Sequence, residues 1–179
     1  MKSKKLLTSL MTIPILSLTL LNTSVRTSAR SNVVYVTKPV YKTTTTTTTT
    51  TGGYELRVIQ LCNVQRARYG LPALSQDSKL MQLCKLKSQD MAYRDYFSHN
   101  SPVYGSAFNM MKIYGVKFVA AGENIAEGQP TPDAVVTSWM NSAGHRANIL
   151  NKDYKEIGVG IATDRYGRLV WTQMFIKER

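Results

Sequence analysis

Nine consecutive threonines, Thr43 to Thr51, closed by Gly52 and Gly53, cut the 179-residue chain in two. A run of one small polar residue has no large apolar groups to offset the entropy of ordering it, so it reads as a solvated spacer. Glycosylation and mere low-complexity drift are both compatible with it. Whatever folds must therefore lie after the run, and residues 54–179 are enough for one domain. A hydrophobic content of 43% supplies the apolar material for its core.

The chain before the spacer reads as an export signal. Met1-Lys2-Ser3-Lys4-Lys5 is positive, Leu6 to Leu21 is apolar with Pro14 inside it, and Arg26 precedes the small residues Thr27-Ser28-Ala29. That order describes a secretory signal peptide over residues 1–29. An uncleaved membrane anchor is the competing reading, because no clean Ala-x-Ala marks the cleavage point. No cysteine lies near that region, which disfavours a lipoprotein. Residues 30–53 read as a linker, with Val33 to Tyr41 able to form a short extended piece. The mature chain is then expected to hold no membrane span, its apolar runs falling short of the roughly 18 residues one needs. It is expected to be secreted or held at the cell envelope.

The charge changes meaning with this division. The net +12 of the whole chain suggests an anionic partner. The leader holds Lys2, Lys4, Lys5 and Arg26, the linker holds Arg30, Lys38 and Lys42, and neither holds an acid. Removing those seven leaves +5 for residues 54–179, spread without a dense basic run. Nucleic acid is therefore not an expected partner.

Periodicity predicts helices first and strands last. Leu56, Ile59, Cys62 and Arg66 fall at spacings of three and four, giving a helix over Glu55 to Tyr69 that stops at Gly70. A second helix starts after Ser75, with Leu80, Leu83, Cys84, Leu86, Lys87 and Met91 spaced for one buried face, and runs towards Tyr93. Ser101-Pro102 predicts a third helix running to Tyr114, and Thr131-Pro132-Asp133 predicts a fourth through Met140. From Ile157 the period becomes two. Ile157, Val159 and Ile161 alternate with small residues, and Asp164-Arg165-Tyr166-Gly167 turns the chain into a β-branched and aromatic run, Leu169 to Ile176. Such an order gives an α+β domain with helices packed on a small antiparallel sheet. Gly158 and Gly160 read as sites of close packing, and Trp139 and Trp171 as core anchors.

Cys62 and Cys84 are the only cysteines. Each lies on the apolar stripe of its own helix. A disulfide between them, contributing about 3 kcal/mol, and a pair of buried free thiols are both open.

The only two histidines, His99 and His145, flank the segment Ala121-Gly122-Glu123-Asn124-Ile125-Ala126. Two imidazoles and a carboxylate form a plausible first shell for zinc or another divalent ion, and could also exchange protons without one. Their separations match no local metal motif. From spacing alone, bonding to loop backbone is the better account.

Order strengthens the signal. Leu61-x-Asn63-x-x-Arg66-x-x-x-Gly70-Leu71, Asp90-Met91-Ala92, Tyr96-Phe97-Ser98-His99, Gly122-Glu123-Asn124-Ile125, Trp139-Met140-Asn141-Ser142, Gly144-His145-Arg146-Ala147-Asn148, Ile157-Gly158-Val159-Gly160 and Trp171-Thr172-Gln173 follow one another as in a CAP domain. The chain resembles this superfamily of cysteine-rich secretory, antigen 5 and pathogenesis-related proteins, in its short bacterial form. The resemblance implies an α-β-α sandwich with an open cleft. It also implies two histidines and two acids there, sometimes on a divalent metal. His99, Glu123 and His145 match three of the four. The position of the second acid falls on Ser142, a departure, and Glu156 is the alternative source of a carboxylate.

The expected function is a binding or interaction module, a monomer whose His99/Glu123/His145 cleft takes a metal or an extracellular or envelope ligand. The alternative is a metal-assisted hydrolase on peptide or cell-wall substrates, in which zinc would make a bound water nucleophilic. A structural envelope component is the third reading.

Overall fold

The computed structural model describes residues 51–179. The predicted leader (1–29) and the linker up to Thr50 lie outside the described residues. The C-terminal alternation forms β3 (Glu156–Thr163) and β4 (Leu169–Glu178), paired antiparallel through the predicted turn. That turn is closed by Asp164, whose side chain accepts from the backbone N–H groups of Tyr166 and Arg168, both at 2.8 Å. Gly167, at φ 79°, takes the left-handed position.

The first helix, α1 (Thr51–Arg68), starts at the last threonine of the run and stops where Gly70 turns to φ 68°. Ser75 and Gln76 are not helical; they form a short strand, β1 (Ser75–Gln76), parallel to β3. The small sheet is therefore mixed rather than wholly antiparallel. Asp77 caps the second helix, α2 (Ser78–Arg94), accepting from Leu80 N–H at 2.6 Å.

One helix start moves. Ser101-Pro102 does not open the third helix; α3 (Ala107–Ile113) begins after Ser106, whose side chain accepts from Asn109 N–H. Ser101 is occupied otherwise. Its hydroxyl accepts from the N–H groups of Val103 and Tyr104, donates to Asp90 at 2.7 Å, and sits in a bridge closed by Gly105. The same serine signature that starts a helix here holds a tight turn.

After α3 comes an element the periodicity did not announce, β2 (Phe118–Glu127), which pairs antiparallel with β4. Next, α4 (Pro132–Asn141) starts as predicted, with Thr131 accepting from Ala134 N–H and Pro132 in the first turn. A short helix, α5 (Ala143–Ile149), follows directly. The sheet order is β1-β3-β4-β2, so β2 is an edge.

Alternation along β3 and β4 separates two cores. Ile157, Val159, Ile161, Trp171 and Phe175 face α1, α4 and α5, where Val58, Cys62, Trp139 and Ile149 complete one cluster. Met174 and Ile176 face the other way, onto Leu80, Leu83 and Cys84 of α2 and Met110 and Met111 of α3. Helices thus cover both faces, an α-β-α sandwich. Both tryptophans are fully buried anchors, with Trp139 donating to Ile125 O and Trp171 to Gln129 O.

The two faces also settle the cysteines. Cys62 and Cys84 are both buried and free, and the sheet lies between them. Neighbouring antiparallel helices would have allowed a bond; helices on opposite faces place the thiols too far apart.

Candidate functional site

Because β2 is an edge strand, a cleft of about 350 Å³ opens beside it. His99, Asn100, Ser106, Ala107, Phe108, Ala121, Gly122, Glu123 and Asn148 line it. Glu123 pairs in register with Met174 and so belongs to the α2/α3 face; Asn124 pairs with Gln173 and belongs to the other. One strand therefore feeds both walls.

On the first wall, His99 Nδ1 lies 2.7 Å from Glu123 Oε2. The carboxylate side chain is only 4% exposed and the imidazole 58% exposed. That hydrogen bond, ahead of the opposing cost of burial, raises the histidine above its ordinary pKa. The other oxygen, Oε1, is buried and has no hydrogen-bond partner.

The loop that carries His99 hangs from a buried polar group. Lys87, 1% exposed, directs Nζ to Ser98 O at 2.7 Å, His99 O at 3.3 Å and Tyr96 Oη at 3.2 Å. Tyr96 in turn donates to Asp90, which also receives Arg94 and Ser101. Sequence reasoning placed Lys87 among the apolar positions of its helix and missed this role. A lysine on a buried stripe was the available signal.

On the second wall, Asn148 donates to Glu123 O at 3.1 Å and to Asn124 Oδ1 at 2.8 Å. Asn124 donates to His145 O and to Gln173. These amides satisfy the exposed edge of β2 and fix α5 against it. Asn148 was read only as part of a motif; the structure makes it a wall of the cleft. His145 is outside the lining, yet close enough that His99 depresses its pKa, after burial, the larger cause.

The two candidates for a fourth group are elsewhere. Ser142 joins α4 to α5, ending one helix and starting the next, and makes no side-chain cap. Glu156 opens β3 beside Asp77 and Glu178; burial first, then those two acids, raise its pKa. Neither lines the cleft. Among the described residues no three His, Cys, Asp or Glu side chains gather as a metal-ligand set. His99 Nδ1 is engaged by Glu123, so Nε2 is the ring nitrogen left to a ligand or an ion.

The family follows from the whole match. Residues 59–175 match the cysteine-rich secretory protein family, CAP. This chain belongs to it. It is 48% identical over 134 residues to YkwD, an uncharacterized protein of Bacillus subtilis; the match covers 75% of this chain and 51% of YkwD. An extracellular protein of Bacillus anthracis containing an SCP domain is 35% identical, with a TM-score of 0.65 over 72% of this chain and 41% of that one. An outer surface protein of Borrelia burgdorferi shares the fold at 20% identity, with a TM-score of 0.63 over 68% of this CAP chain and 90% of its own. The chain thus spans about half the length of YkwD. No helix among the described residues is long and apolar enough to cross a membrane.

Proposed function

We propose that this CAP domain is an exported binding module whose ligand seats an acceptor oxygen against His99. The observation that carries the reading is the pairing of an exposed imidazole with a buried carboxylate. Burying a carboxylate with one oxygen unpartnered is costly. Here it fixes the imidazole in one orientation, with Nε2 turned outward. A fixed polar group beside the Phe108 ring and the Asn148 amide is the usual composition of a small-ligand cleft. Export is supported by the leader pattern of residues 1–29 and by likeness to an extracellular protein.

Short peptides and N-acetylated saccharides are suitable probes, both being rich in acceptor oxygens. Nitrogen NMR of the His99 ring, followed through titrations with trialanine and with chitotriose, tests the reading. The Nε2 signal should move with at least one probe in the wild type and stay still in Glu123→Gln. If both probes leave His99 and the cleft amides unmoved, the binding-module reading of this cleft is rejected.

A further inference from the structure

Along an antiparallel pair, directly opposed residues alternate between bonding each other and turning their backbone groups away. For β2 the phase is set by its partner strand. Ile176 O accepts from Lys155 N–H at the head of β3, so Ile176 faces β3 and its β2 partner Ala121 directs N–H and C=O to the free edge. Glu123 and Ile125 follow in the same phase.

The protein closes the outward carbonyls at two of these residues with its own side chains. Ile125 O accepts from Trp139 Nε1 at 3.3 Å, and Glu123 O accepts from Asn148 Nδ2 at 3.1 Å. Each donor stands in for the N–H of a further strand. At Ala121 nothing does. Neither its N–H nor its C=O has a hydrogen-bond partner among the described residues, and Ala121 lines the cleft.

The open stretch is short. On one side Asn148 covers Glu123 O; on the other the register shifts between Phe118 and Ala120, an irregularity of the kind that ends pairing at a sheet edge. What is left is one extended residue with a donor and an acceptor pointing the same way. A residue of another extended chain meets both with its own C=O and N–H. Placed opposite Ala121, it shares that face of the sheet, so its side chain falls towards Ala107 and Phe108 of α3, which line the same cleft. A small or apolar side chain suits that wall.

We infer that the cleft takes a short extended peptide, which adds one backbone-paired residue to the edge of β2 at Ala121, beside the His99–Glu123 pair. This rests on the binding reading above and names its ligand class: a chain held by its main-chain amides.

Amide NMR of the full chain, titrated with N-acetyl-trialanine amide, tests the inference. In the free protein the Ala121 amide should exchange faster than that of Gly122, which bonds β4. On titration its proton should move downfield and its exchange should slow, together with the shift at His99 Nε2. Methylating the peptide nitrogens one at a time should weaken binding about fivefold or more at the paired residue, the loss of one hydrogen bond, and little at its neighbour. Ala121→Pro removes the outward N–H without touching a bond to β4, a place where a strand tolerates proline, so it should fold and lose the peptide. Should it not fold, the methylated peptides decide alone. A His99 shift with an unmoved Ala121 amide and no effect of methylation would overturn the edge pairing and leave the binding reading standing. So would chitotriose that moves His99 when the peptide does not. An Ala121 amide already protected in the free chain would also overturn it, since the chain itself would then close the edge. Silence of both probes at His99 rejects the binding reading and this inference with it.

Discussion

Strand β3 meets its two neighbours differently. Towards α1 and α4 it presents Ile157, Val159 and Ile161, and side chains separate sheet from helix. Towards α2 it presents Gly158 and Gly160, and the helix backbone lies directly on the strand. A Cβ at Gly158 would stand 2.3 Å from the Leu80 carbonyl carbon, and one at Gly160 would stand 2.1 Å from Lys85 N. The first face can adjust a rotamer when a side chain changes; the second has only backbone to move. It is the rigid face that carries Lys87, the His99 loop and Glu123. The cleft's charged wall thus stands on a helix whose backbone packs directly against the strand.

The largest effect expected from this contrast is at Gly160. Gly160→Ala should destabilise the fold by about 3 kcal/mol or more, because overpacking here strikes backbone. Ile161→Val, the next residue but on the other face, should cost only about 1 kcal/mol. Denaturant unfolding of the two variants decides it, and equal losses would contradict the contrast.

A smaller loss is expected at Ser88, which stitches the same tight seam. Its hydroxyl bonds Gly160 O at 3.0 Å and Thr172 Oγ1 at 2.9 Å, all buried. Ser88→Ala should cost about 1–2 kcal/mol, since it leaves partners unsatisfied without opening a large cavity. Hydrogen exchange should report the loss along β3 before it reaches α4.

The pH dependence separates the cleft walls. His99 is raised in the fold, so its bond to Glu123 contributes stability fully below the unfolded value of 6.5, and loses it as pH rises through the folded value. His145 is lowered, so it opposes folding on the acid side. Glu123→Gln should remove the favourable contribution and leave the unfavourable one. The variant should lose stability relative to wild type as pH falls through the raised His99 value to 6.5, with the full difference reached below 6.5, measured by thermal unfolding across pH. A constant difference at all pH values would contradict the pairing.

The smallest effect links the two walls. His99→Ala should let the His145 pKa rise part of the way back towards 6.5, because burial, the larger cause, remains. Proton NMR titration of His145 reads this directly.

The elements that sequence reasoning placed correctly are those whose signals are local. Gly70 ends α1, Pro132 opens α4, and the alternation through Ile161 forms a strand. Strand β2 escaped because Ala120, Ala121, Gly122 and Ala126 dilute its alternation with small residues. The same smallness opens the cleft there. Helix α5 escaped because Gly144, Asn148 and the missing side-chain cap at Ser142 give it weak boundaries. The cleft was half legible: motif order marked His99, Glu123 and Asn148's segment, while Ser142 and Glu156 carried no spatial information.

Local propensity and order along the chain, by themselves, determined the family and the α+β class. Those are properties of short segments and of their succession. Only the tertiary structure decided which face each helix takes. That choice puts the sheet between Cys62 and Cys84 and bonds His99 to Glu123. It also turns Lys87 from a helix-stripe residue into the buried support of the His99 loop. Sidedness depends on how strands pair across the sheet, through partners such as Glu123 and Met174 about fifty residues apart, and no local pattern encodes that pairing.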